Sequence, residues 1–81
     1  MKIRYHKQAE KFILSQSKVN ARRIRDAVIK LPLGDVKKTQ GNHNPVLYRL
    51  RVGDYRIIFS MGENAIDVVH ADNRGDVYKR L

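Results

Sequence analysis

Three arginines gather around one Gly-Asp pair in the run Tyr48-Arg49-Leu50-Arg51-Val52-Gly53-Asp54-Tyr55-Arg56-Ile57-Ile58-Phe59. Gly53-Asp54 offers glycine at the first central position of a two-residue type II′ turn, which joins antiparallel strands tightly. That turn sets a register in which Val52 opposes Tyr55, Arg51 opposes Arg56, Leu50 opposes Ile57, Arg49 opposes Ile58 and Tyr48 opposes Phe59. Side chains alternate faces along a strand, so Tyr48, Leu50, Val52, Tyr55, Ile57 and Phe59 point to a core while Arg49, Arg51 and Arg56 point the other way. Guanidinium groups stay charged and grip phosphate bidentately, so three on one face are suited to holding a phosphodiester. Like charges directly opposite across a sheet are destabilising. The Arg51 and Arg56 pair therefore fits an anion site, and a merely solvated sheet face is the plain alternative.

Other chemistry is sparse. The absence of cysteine excludes a disulfide scaffold, a Cys-ligated zinc site and a thiol nucleophile. His6, His43 and His70 lie too far apart in sequence for a recognisable metal motif. The end of the chain adds Arg74, Tyr78 and Lys79-Arg80-Leu81, with Tyr78 suited to packing its ring on the sheet.

With 81 residues the chain makes one domain, 1–81, with a thin core. Seventeen Lys and Arg against eight Asp and Glu leave a formal charge of +9, which points to a polyanion or an acidic protein as partner. No run approaches the roughly 20 apolar residues of a membrane span, so the expectation is a cytoplasmic protein.

The elements that would position the arginines follow from periodicity. Lys2 to Tyr5 alternate as a short strand. From Lys7, the spacing of Ala9, Phe12, Ile13 and Gln16 predicts one helix. A second runs from about Lys18 to Leu31 on a stripe of Ala21, Ile24, Ala27, Val28 and Leu31, and Pro32 and Gly34 stop it. Residues 35 to 45 read as a polar connection and the most mobile part. Val46 to Val52, Tyr55 to Met61 and Ala65 to His70 read as strands, and opposing Met61 to Ile66 places Val68 beside Phe59 and Asp67 beside Ser60. Continued alternation puts His70 on the core face near the sheet's edge, with a loop from Ala71. The fold class is α+β: β-α-α-β-β-β, a helix hairpin packed on one face of a mostly antiparallel sheet.

The run from Tyr48 to Phe59, the ending from His70 through Arg74 to Asp76-Val77-Tyr78, and the order of elements resemble the RelE/ParE superfamily of type II toxin-antitoxin toxins, the RelE-like branch above all. That resemblance implies a ribosome-dependent mRNA endonuclease, an mRNA interferase that cuts A-site codons and inhibits translation. The RNA's own 2′-hydroxyl attacks the adjacent phosphate with no metal or other cofactor. It implies Arg56 and Arg74 as stabilisers of the transition-state phosphate, Tyr78 as a stacking or orienting group, and Arg49 and Arg51 as mRNA-binding residues. Some members carry lysine where this chain has Arg49 and Arg51, and guanidinium does not give up its proton. The general base is therefore unassigned, with His70 a minor candidate and His43 no better placed. The implied partners are a cognate antitoxin with an acidic segment and the ribosome with its A-site mRNA; the charge predicts a monomer when the toxin is alone. Two alternatives stand beside this reading: a ParE-like poison of DNA gyrase, and an inactive relative that only binds an antitoxin.

Overall fold

The computed structural model describes residues 2–39, 41 and 44–73. Arg74 and Tyr78, expected to act at the site, and His43 lie outside the described residues. The elements are β1 (Lys2–Tyr5), α1 (Lys7–Leu14), α2 (Lys18–Ile29), β2 (Asp35–Lys38), β3 (Tyr48–Val52), β4 (Tyr55–Met61) and β5 (Ala65–Asn73). They form one sheet in the order β1-β5-β4-β3-β2, with β1 parallel to β5 and the other neighbours antiparallel. The helix hairpin covers one face, as the α+β reading expects.

Local chemistry accounts for the helices. Ser17 caps α2 by accepting a hydrogen bond from the Asn20 amide at 3.1 Å, which satisfies one of the orphan donors of the first turn. Ala9 and Ile13 of α1 and Ala21, Ile24 and Val28 of α2 are buried against Leu50, Ile57, Phe59, Ile66 and Val68 of the sheet. Gln16 lies beyond the end of α1, where its side-chain oxygen accepts a 3.0 Å hydrogen bond from the Tyr55 hydroxyl. Helix α2 ends at Ile29, two residues earlier than its apolar stripe predicts, although Leu31 still packs into the core. No helix among the described residues is long and apolar enough to cross a membrane.

The central hairpin has the register that the Gly53-Asp54 turn predicts, from Val52 opposite Tyr55 to Tyr48 opposite Phe59. Gly53 has φ +59° and no described non-glycine residue has positive φ, which fits a type II′ turn and excludes type I′.

Three expectations need correction. Residues 35 to 38 are not a mobile connection but the edge strand β2, paired antiparallel with β3 from Asp35 opposite Arg51 to Lys38 opposite Tyr48. Its sequence, Asp-Val-Lys-Lys, carries one apolar residue and two lysines; such charge protects an exposed sheet edge while hiding the strand from a hydrophobicity pattern. Strand β3 begins at Tyr48 rather than Val46. Strand β5 continues through Ala71 to Asn73, where the sequence suggests a loop. The reason is a β-bulge: Phe59 pairs with Val68 and Ile58 with His70, so Val69 is an extra residue. Beyond it Ala71 is buried against the helices, and His70 and Asp72 turn to the opposite face.

Candidate functional site

The face of the sheet away from the helices presents two ranks of side chains across four strands. One rank is Lys37, Arg49, Ile58 and His70; the next is Asp35, Arg51, Arg56 and Asp72. With neighbouring strands about 4.8 Å apart, each rank spans about 14 Å. The bulge at Val69 makes this arrangement, because unbroken alternation would have sent His70 inward and Asp72 with it. His70 is thus on the arginine face and not, as alternation predicts, on the core face.

The second rank explains how Arg51 and Arg56 tolerate facing one another. Its charges run minus, plus, plus, minus. Asp72 holds Arg56 by two bonds, Nε to Oδ1 at 3.1 Å and Nη2 to Oδ2 at 2.6 Å. At the other end Asp35 lies 3.9 Å from Arg51 Nε and 3.4 Å from Arg49 Nη2. The repulsion inferred from sequence is therefore partly offset by carboxylates of the flanking strands. A cationic surplus remains, since Lys37, Arg49, Arg51 and Arg56 face only Asp35 and Asp72 across the two ranks.

Two donors are left over. Arg49 Nε and Arg51 Nε are buried and have no hydrogen-bond partner among the described residues. At 3.9 Å Asp35 attracts Arg51 Nε electrostatically but is too far to accept its proton. A buried unpaired donor costs about 1–3 kcal/mol, and more when it belongs to a charged group. Beside Arg49 lies a hollow of about 240 Å³ lined by Lys37, Lys38, Thr39, Arg49, Arg56 and Ile58.

Asp72 has a second partner, since its Oδ2 is 3.1 Å from His70 Nε2. Partial burial pushes the Asp72 carboxyl up, but hydrogen bonds from Arg56 and His70, with the positive charge of Arg56, together outweigh it and leave it below the ordinary aspartate range. The Arg56 guanidinium is raised above its ordinary value, first by its hydrogen bond to Asp72. Asp72 is thus an ionised hub that fixes an arginine and a histidine at once.

The segment that carries these groups is held from the other side. Strand β1 pairs with β5 only as far as Tyr5 opposite Val68, which leaves the outer edge of Ala71 without a strand neighbour. Gln8 of α1 takes that place: its Nε2 donates to the Ala71 carbonyl at 2.8 Å, and its Oε1 accepts from the Ala71 amide at 2.9 Å. Ala71 sits between His70 and Asp72, so one carboxamide pins both. On the same open face Arg4 joins Asp67 through bonds of 2.8 and 3.2 Å, tying β1 to β5.

The structure therefore brings Arg49, Arg51, Arg56 and His70 together. Asp35, Asp72 and Gln8 are additions that sequence reasoning misses. The one signal for Asp72 is the doublet Val68-Val69, two consecutive apolar residues that break the alternation of β5 just before His70.

No protein-family model matches the sequence, and no curated protein matches it. Among solved structures, the chain superposes on one in the archaeal RelE-RelB complex from Pyrococcus horikoshii OT3 with a TM-score of 0.71 and 33% identity, covering 91% of this chain and 94% of that one. A RelB-RelE antitoxin-toxin complex from Methanococcus jannaschii matches with a TM-score of 0.70 and 26% identity, over 96% of this chain and 98% of that one. The fold is RelE-like, and the chain belongs to the RelE/ParE-like superfamily of toxin-antitoxin proteins.

Proposed function

We propose that this chain is the toxin of a type II toxin-antitoxin pair and a ribosome-dependent mRNA endonuclease. The observation that carries this reading is the arginine face, on which Arg49, Arg51 and Arg56 stand together with Asp35 and Asp72 as the only carboxylates of the two ranks. Arg49 and Arg51 bind mRNA phosphates. Arg56 stabilises the charge that builds on the phosphorane: Asp72 occupies the Nε–Nη2 edge of its guanidinium, and the phosphate approaches the remaining Nη1 end. Arg74, which follows the last described residue of β5, and Tyr78 act with it, Arg74 on the phosphate and Tyr78 by stacking on a base or orienting the reacting groups. The ribosome presents the A-site codon, and a cognate antitoxin with an acidic segment keeps the toxin neutral in the cell.

A reconstituted translation reaction tests this. The wild-type chain is expected to cut ribosome-bound mRNA, and Arg56→Ala to slow the cut by about 100-fold or more, the usual loss when a transition-state donor is removed. Intact mRNA together with trapped gyrase-DNA complexes would instead identify a gyrase poison.

A further inference from the structure

We propose that His70 is the proton acceptor for the attacking 2′-hydroxyl, with Asp72 as the residue that positions it. The inference rests on the nuclease reading above and supplies the base that the sequence leaves unassigned.

The bulge at Val69 puts His70 in the same rank as Arg49, with Ile58 between them. Two strand spacings separate their backbones by about 10 Å, a gap that one ribose and its phosphate can occupy. Arg56 stands two residues before Ile58 on the same strand and face. A phosphate lying over Ile58 is thus flanked by Arg49, by Arg56 and by the imidazole. Among the side chains of the two ranks, His70 has the only imidazole, the group suited to accepting a proton near neutral pH. Its side chain is 45% exposed, open to substrate and to water.

Asp72 settles which ring nitrogen acts. An ionised carboxylate 3.1 Å from Nε2 can only accept, so Nε2 carries the proton and Nδ1 presents its lone pair. The 2′-hydroxyl proton passes to Nδ1 as the 2′-oxygen bonds to phosphorus and the bond from phosphorus to the 5′-oxygen breaks. The leaving oxygen takes a proton from water, and the resulting hydroxide removes the proton from the imidazolium. The products are a 2′,3′-cyclic phosphate and a 5′-hydroxyl, with no net water consumed. The charged groups that face His70 are Asp72 on its own strand, Arg56 on β4 and, across Ile58, Arg49 on β3; Arg4 of β1 is already paired with Asp67.

Single-turnover cleavage of ribosome-bound mRNA, followed across pH, tests the assignment alongside nitrogen NMR of the imidazole. His70→Gln is expected to lower the rate at saturation by about 100-fold or more while leaving the half-saturating concentration nearly unchanged, and to abolish the fall in rate at acid pH. Asp72→Asn is expected to convert His70 from the single Nε2–H tautomer to a mixture, an effect that a purely structural role would not produce. Cleavage by His70→Gln within about threefold of wild type, or an Nδ1–H tautomer in the wild-type protein, would overturn the proposal. No cleavage by the wild-type chain would overturn the nuclease reading itself, and the base role with it, whatever the tautomer.

Discussion

Asp72 is the residue on which the site turns, because one carboxylate holds both Arg56 and His70. Its depressed pKa has a consequence for stability. A carboxylate whose folded-state pKa lies below the unfolded value of about 3.9 contributes stability above that pH, and the contribution disappears as pH falls through the lower folded value. Acid unfolding of Asp72→Asn and wild type should therefore show a gap in stability near neutral pH that narrows below about pH 4. A gap independent of pH would mean that Asp72 acts through packing rather than charge. At this scale the sequence is informative about Arg49, Arg51 and Arg56, because a two-residue turn leaves no freedom in their facing. It is misleading about His70. Alternation is a local rule, and a single inserted residue inverts it for everything beyond.

Strand β5 shows how an element can carry function through an irregularity. Its first half is bounded by β1 and β4, and its last part has β4 on one side and only the Gln8 carboxamide on the other. Removing that amide leaves the Ala71 backbone to water and loosens the support beneath His70 and Asp72. Gln8→Ala should cost about 1–3 kcal/mol, from two hydrogen bonds of roughly 0.5–1.5 kcal/mol each, and should speed hydrogen exchange at the Ala71 amide more than at Ile57 or Phe59. Uniform acceleration across the sheet would show a general loss of stability instead. Neither this support nor strand β2 is legible in the sequence. Gln8 reads as one more polar residue of an amphipathic helix, and Asp35 to Lys38 is too short and too charged to register as a strand. The central hairpin and both helices are legible, because apolar periodicity and the Gly53-Asp54 turn specify them directly.

For the whole molecule, the charge divides unevenly. Residues 1 to 45 hold eleven Lys and Arg against three Asp and Glu, a balance of +8, while residues 46 to 81 hold six against five, a balance of +1. The arginine face belongs mostly to the nearly neutral half, where Arg49, Arg51, Arg56 and Asp72 owe their effect to arrangement, not to number. The basic half suits a polyanionic surface such as ribosomal RNA or an acidic partner protein, with affinity that falls as salt rises. Under the nuclease reading proposed above, the basic half would dock on the ribosome while the arginine face holds the reacting phosphate. The most direct test is to add the purified chain to programmed ribosomes and map the mRNA ends. Cleavage within the A-site codon, leaving a 2′,3′-cyclic phosphate and a 5′-hydroxyl and lost together in Arg56→Ala and His70→Gln, is the predicted result; mRNA left intact on ribosomes by the wild-type chain would contradict it.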